Sequence, residues 1–178
     1  MNAEDFLKEF VARRGKFGLD LQELDLREAV LTGLHLSANL HRINLAGAEL
    51  GDAFLHGVNL SSANLSCVDF ESASLVGANL SYANLNRATF GEANLRRASL
   101  YRANLTDAYF FQTGFIGADL GEAVLTGAEF EEADLRRANL RGAIGADLRG
   151  ADLRGATLPN GEIVPEEAQG IERSDFLF

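Results

Sequence analysis

Carboxylates at a fixed spacing are the side chains of this sequence best suited to chemistry at a surface. Eight of them fall within five-residue windows that recur every twenty residues, 48–52 to 128–132: Glu49, Asp52, Asp69, Glu71, Glu92, Glu129, Glu131 and Glu132. The whole chain is acidic, with a formal net charge of -10. Carboxylates gathered into a strip would attract a basic protein or copy the charge of a duplex. The same strip would also serve simply to keep an acidic protein in solution.

The sequence offers little for metal or nucleophilic chemistry. Its three histidines, His35, His41 and His56, lack metal-ligand spacing, and Cys67 is its only cysteine, so neither a thiolate cluster nor an intrachain disulfide can form. No glycine-rich phosphate-binding loop is present. We therefore expect a protein that is not an enzyme and that uses no metal and no cofactor.

Charge and targeting signals bear on partners and location. An acidic chain lacks the basic footprint that direct nucleic-acid binding needs. Residues 1–16 mix acids and bases without an apolar stretch, so no secretory signal is expected, and no apolar run is long enough to cross a membrane. A single cysteine fits a reducing compartment. The sequence therefore predicts a cytoplasmic protein that binds neither nucleic acid nor membrane directly.

Aromatic and apolar residues interrupt the acidic positions near the middle of the chain. Tyr109 and Phe111 flank Phe110, and the adjoining segment contains Ile116. Exposed aromatic side chains contribute much of the binding energy at protein interfaces. Tyr109, Phe111 and Ile116 therefore form a candidate apolar patch for a protein partner, although drift on a tolerant surface would explain them equally well.

A five-residue repeat must position these side chains. Every fifth residue from Leu40 to Leu140 is Leu or Phe, and the residue two before it is usually Ala. The phase shifts by one residue between Leu36 and Leu40 and breaks again around 143–145. A small residue and a large one, separated by one position, point to the same side of an extended segment. The two residues that follow suit a tight turn, so each pentapeptide is predicted to form one side of a coil.

The phenylalanines set the number of sides. Phe70, Phe90, Phe110 and Phe130 recur every twenty residues, which stacks them in one internal column if four pentapeptides close a coil. Asn44, Asn64, Asn84 and Asn104 recur in the same way and predict a hydrogen-bonded ladder. The eight carboxylates then share one side of the coil, and Arg96, Arg97, Arg136 and Arg137 share the next side. The prediction is an all-β solenoid of about seven coils.

The A(N/D)LXX pattern resembles the pentapeptide repeat family, and the resemblance covers most of the chain. It implies a right-handed quadrilateral β-helix. The regular, alanine-rich repeats are similar to those of cyanobacterial members, which implies a non-enzymatic scaffold for protein contacts. The alternative implied by the family is a DNA mimic that binds DNA gyrase, as in the quinolone-resistance branch, although members of that branch have less regular repeats.

A solenoid exposes its core at both ends unless it is capped. We expect a capping helix within residues 1–16, spanning 3–14, then the repeats over 17–158 and a C-terminal cap or tail over 159–178. A short helix from Pro165 to Gln169 is expected in that tail. The chain ends on Phe176, Leu177 and Phe178, which would either pack over the last coil or form a dimer contact. The protein would then be a monomer or a C-terminal homodimer.

Overall fold

The structure is a computed structural model and describes residues 26–37 and 39–167. The predicted helix over 3–14 and the tail residues Phe176, Leu177 and Phe178 lie outside the described residues. Of the helix predicted over 165–169, the structure describes 165–167, which form a turn at 166–167 and no helix, and 168–169 lie outside the described residues. The number of coils and the two caps therefore stay predictions.

Parallel pairing between residues twenty apart builds the molecule. Within the described ranges there is no helix and no continuous strand; single bridges join Glu49 to Asp69, Asp69 to Thr89 and Thr89 to Tyr109. Asp69 accepts from the Leu50 amide at 2.7 Å and donates to the Ala48 carbonyl at 3.0 Å, and the same pattern repeats along the chain. The predicted coil of four pentapeptides is confirmed.

The four sides are called walls A to D. Wall A comprises 48–52, 68–72, 88–92, 108–112 and 128–132; wall B comprises 53–57, 73–77, 93–97, 113–117 and 133–137; wall C comprises 58–62, 78–82, 98–102, 118–122 and 138–142; wall D comprises 43–47, 63–67, 83–87, 103–107 and 123–127. Because vertical neighbours are twenty residues apart, the carboxylates predicted to share a side do share wall A.

A tight turn forms every corner. The Ala73 amide donates to the Phe70 carbonyl at 2.9 Å, three residues back, and Ser72 between them has φ of 57°. A negative φ followed by a positive one is typical of a type II turn. Sixteen residues other than glycine have positive φ in the described part of the chain. Nearly all of them are the second residue of a corner turn, as Ser72 is. The regular hydrogen bonds between coils hold the backbone there despite its steric cost.

The interior is filled as the sequence predicts. The rings of Phe70, Phe90, Phe110 and Phe130 stack at centroid distances of 4.9–5.1 Å and are fully buried. On wall D, the amide of each asparagine in the ladder donates to the one below at 2.9–3.3 Å. The buried Thr113 hydroxyl donates to the Phe90 carbonyl at 2.6 Å, so this polar residue in an alanine position has a partner.

Two shortened coils explain the phase breaks. Near the start, Val30 pairs with Glu49, nineteen residues away. Near the end, Asp134 pairs with Asp152, eighteen residues away, because the coil loses two residues around 143–145. Walls A and B therefore continue into 146–150 and 151–155. The chain then reverses in a turn at 158–161, and Thr157 pairs with Ile163 antiparallel.

Candidate interaction surface

Wall A places the predicted carboxylates at the surface. Asp69 is half-buried and the other seven are exposed. The backbone positions explain this: Glu49, Asp69 and Glu129 precede the inward Leu or Phe and point out from the middle of the wall, whereas the other five occupy turns at the corner with wall B. The result is a central column and an edge, both acidic.

Within the described residues, only two of these carboxylates accept a hydrogen bond. Asp69 accepts from the Thr89 hydroxyl and the Glu71 amide, each at 2.9 Å, and Glu132 accepts from the Gln112 side chain at 2.7 Å. Among the described residues none of the eight forms an ion pair, whereas Glu122 on wall C pairs with Arg102 at 2.6 Å. Wall A of 48–132 contains no Lys or Arg, which leaves its negative charge uncompensated.

The predicted apolar patch is brought together only in part. Tyr109 is 40% exposed, and its ring lies parallel to that of half-buried Phe111 at 6.3 Å. Ile116 is half-buried and lies at the far corner of wall B, so the width of that wall separates it from Phe111. Tyr109 and Phe111 form one patch on wall A, and Ile116 is a separate apolar position.

Wall B has edges of opposite charge. We define the acidic edge, at the corner of walls A and B, as Asp52, Glu71, Glu92, Glu131 and Glu132. We define the arginine edge, at the corner of walls B and C, as Arg96, Arg97, Arg136, Arg137 and Arg154. Arg96 and Arg97 form no ion pair within the described residues, whereas Arg137 pairs with Glu166 at 2.8 Å.

Local ion pairs near the end of the chain were missed by sequence reasoning. Arg136 pairs with Asp134 at 2.7 Å, and Arg154 pairs with Asp152, two residues earlier in each case. The hydrogen bond from Arg154 lowers the pKa of Asp152, against the opposing effect of partial burial. The repeated A-D-L-R sequence was the available signal, because residues two apart on a strand share a face.

Three further surface features extend beyond wall A's predicted strip and patch. An open groove of about 370 Å³ lies where wall A meets its shortened last coil, lined by Glu129, Glu131, Asp147 and Arg149 among others. On wall B, the exposed Phe54 ring stacks on His35 at 4.4 Å. On wall C, the Tyr101 hydroxyl donates to Glu122 at 2.7 Å, and Tyr82 packs edge-on against Tyr101.

Metal and membrane features are limited to what the described residues show. In 26–37 and 39–167, no three His, Cys, Asp or Glu side chains are arranged to hold a metal ion. Over the same ranges, no helix is long and apolar enough to cross a bilayer. Cys67 is an exposed free thiol at a corner of wall D.

Several solved structures resemble the chain. The HetL pentapeptide repeat protein of Nostoc sp. strain PCC 7120, involved in heterocyst differentiation regulation, is 31% identical over 92% of this chain and 99% of its own, with a TM-score of 0.28. A pentapeptide repeat protein from the Arabidopsis thaliana thylakoid lumen is 30% identical over 70% of this chain and 79% of its own, with a TM-score of 0.37. QnrB1, a plasmid-mediated fluoroquinolone resistance protein, is 15% identical over 77% and 89%, with a TM-score of 0.41.

Sequence comparison completes the assignment. A search of the curated proteins found no match. The family model for pentapeptide repeats matches eight copies, over residues 38–75, 73–110 and 103–142, which together make up more than half of the chain. The chain belongs to the pentapeptide repeat family, whose fold is a right-handed quadrilateral β-helix.

Proposed function

We propose that the protein is a non-enzymatic interaction scaffold that uses wall A to bind a protein partner. The observation that carries this proposal is the uncompensated carboxylate column of Glu49, Asp69 and Glu129, interrupted by the stacked pair of Tyr109 and Phe111. An aromatic anchor surrounded by charges of one sign matches the usual anatomy of a contact surface. The partner would present a basic surface with an apolar recess, in the cytoplasm, where Cys67 stays reduced.

The alternative of a merely solubilising surface explains the charge less well. Like charges stacked one coil apart repel, and exposed carboxylates gain nothing from that placement. Solubility would be served equally by acids spread over four walls. Wall A instead collects acids without any Lys or Arg from 48 to 132, while arginines occupy the far corner of wall B. This segregation supports a contact surface.

Affinity capture with the full chain tests the proposal. Tyr109→Ala/Phe111→Ala removes the aromatic anchor, and the matched control Tyr82→Ala removes a tyrosine that is 54% exposed on wall C. Quantitative mass spectrometry should find a protein enriched by the native chain and by the control, but reduced about tenfold or more with the double variant. Equal recovery with all three baits would refute a role for the anchor.

A second variant separates charge from the aromatic anchor. Glu49→Gln/Glu129→Gln neutralises two exposed carboxylates in the middle of wall A, neither of which accepts a side-chain hydrogen bond in the described structure. Recovery of the same partner should fall, and the native complex should weaken as salt rises, because exposed charges are screened. A complex indifferent to both changes would contradict the charge-based contact.

The alternative partner is DNA gyrase, with wall A mimicking duplex charge. The acidic column favours it, but Thr89 and Tyr109 interrupt that column, and the opposite edge of wall B carries arginines. A supercoiling assay with purified gyrase decides the matter. Inhibition or protection of gyrase at micromolar protein, lost on Glu49→Gln/Glu129→Gln, would support mimicry, and no effect would remove it.

A further inference from the structure

We infer that a second copy of this chain packs against wall B, with the two solenoids side by side and a two-fold axis parallel to their long axes. The inference rests on the proposed function in treating acidic and apolar side chains at the corner of walls A and B as a protein contact. It leaves the central column of wall A, including Tyr109, free for the external partner, and Phe111 at the corner would take part in both contacts.

The two edges of wall B have opposite charge at matching heights. Each coil contributes one turn to the acidic edge and, five residues later, one turn to the arginine edge. Glu92 and Arg97 therefore lie on the same coil, as do Glu132 and Arg137. A wall with this polarity is self-complementary if the second copy presents its edges in the reverse order.

Symmetry selects one arrangement. A two-fold axis parallel to the solenoid keeps height unchanged and exchanges left with right, so each acidic edge meets the arginine edge of the other copy. A two-fold axis across the wall would instead place acid against acid, which costs energy. The parallel arrangement is also closed, because an isologous contact buries the same patch on both subunits.

The levels match in chemistry as well as in charge. On four of five successive coils, the facing pairs would be Asp52 with His56, Glu92 with Arg96 and Arg97, Phe111 with Ile116, and Glu131 and Glu132 with Arg136 and Arg137; on the coil after Asp52, Ser72 would face Val76 and Gly77. Glu71, also on that coil, joins the level of Glu92, since its carboxylate reaches up to lie over Gly91, where an added Cβ would be 3.1 Å from it. The apolar residues Phe111 and Ile116, separated within one chain, would meet between two chains.

The charges at the level of Glu92 are available, whereas Arg136 and Arg137 already pair with Asp134 and Glu166 of their own chain. Glu71, Glu92, Arg96 and Arg97 form no ion pair within the described residues. The middle of wall B can approach closely at Gly114, which has no side chain and is half-buried. At the last level Arg149 would face Arg154, but each already pairs with an aspartate of its own chain.

The contact area sets the expected strength. Five or six coils rise roughly 25 Å, and one wall is roughly 10–15 Å wide, so each copy would bury on the order of 250–375 Å². That is below the roughly 800 Å² per partner of a stable complex. The dimer should therefore be weak and salt-sensitive, and sedimentation velocity up to millimolar chain is the suitable measurement.

A charge exchange tests the arrangement. In the full chain, Arg96→Glu/Arg97→Glu should raise the dimer dissociation constant about tenfold or more, and Glu71→Arg/Glu92→Arg should do the same. Mixing the two variants should restore a heterodimer, since each acidic edge again faces a basic one. The control Arg42→Glu/Arg141→Glu makes the same charge change at the corner of walls C and D and should leave dimerisation unchanged.

Three results would overturn the inference. The native chain could stay monomeric at low salt and millimolar concentration, the exchanged chains could dimerise like the native one, or their mixture could fail to form heterodimers. A dimer lost on Phe176→Ser/Phe178→Ser but indifferent to the charge exchange would assign the contact to the C-terminal tail and also overturn it. Circular dichroism checks that each variant is folded.

The dimer and the proposed function fail separately. Arg96→Glu/Arg97→Glu should abolish the dimer while the partner that depends on Tyr109 is still captured. Tyr109→Ala alone should lose that partner while the dimer persists. A dimer that survives Arg96→Glu/Arg97→Glu would contradict only this inference. A partner that is still captured by Tyr109→Ala would contradict only the proposed function.

Discussion

Replacing one phenylalanine of the internal column measures how much the stacked rings stabilise the solenoid. Phe110 contacts three rings: Phe90 at 5.1 Å, Phe130 at 4.9 Å and, edge-on, Phe115 at 5.0 Å. Within the described residues, Phe70 contacts one ring, Phe90 at 5.1 Å. Leucine fits either position, because leucine occupies the same column one coil below Phe70 and in the last coil.

The expected difference follows from the number of ring contacts. Each aromatic pair stabilises by about 0.5–1.5 kcal/mol beyond the area it buries. Phe110→Leu should therefore lower the free energy of unfolding by about 1.5–4.5 kcal/mol, and Phe70→Leu by about 0.5–1.5 kcal/mol, with a similar small cavity in both.

Guanidinium denaturation followed by far-ultraviolet circular dichroism provides the assay. The two variants should keep the native slope, so that the shift of the midpoint reports stability alone. Equal destabilisation by Phe110→Leu and Phe70→Leu would refute the reasoning, because the cost would then reflect cavity volume and not stacking. An unchanged free energy of unfolding in Phe110→Leu would refute the reasoning more strongly.

Two further predictions concern the end of the solenoid. Gly145 has φ of 72°, and a Cβ there would lie 3.0 Å from the Thr126 Cα, whereas a Cβ at Gly57 would meet open space. Gly145→Ala should therefore lower the free energy of unfolding by about 1–3 kcal/mol more than Gly57→Ala. Equal denaturation midpoints for the two variants would contradict this. The hydrogen bond from Arg154 holds the pKa of Asp152 below its usual range. The pair's contribution to the stability of the fold is therefore fully present above the unfolded pKa of about 4 and is lost as pH falls through the lower, folded pKa. Asp152→Asn should therefore reduce the loss of stability on acidification below about pH 4, and an unchanged acid titration would contradict the coupling.

The repeat made much of the fold predictable. Inward positions carry only Ala, Leu, Phe and a few similar residues, so the period of five was visible, and the phenylalanine spacing fixed four walls. The asparagine ladder followed from the same register, because identical side chains twenty residues apart must be neighbours. Register alone thus placed the carboxylates on wall A.

Other features depend on geometry that residue types do not reveal. Positive φ at corner residues such as Arg87 and Tyr82 is imposed by pairing between coils, against their intrinsic preference. The loss of two residues near Gly145 displaces the last coil and creates the groove beside Arg149. The opposite charges at the two edges of wall B were not predicted. The five-residue period assigns residues to a wall but does not tell which of them lie at its corners.

The central claim is that residues twenty apart are vertical neighbours on an exposed acidic wall. Disulfide formation tests it most directly in a Cys67→Ser background, where Asp69→Cys/Thr89→Cys places two cysteines at a bridged pair of wall A. Mild oxidation of dilute protein should close an intrachain disulfide in this variant, measured as intact mass after alkylation, and not in Asp69→Cys/Asn94→Cys, whose second cysteine lies on wall B. Equal closure in both variants, or closure only in the second, would contradict the register and every surface built on it.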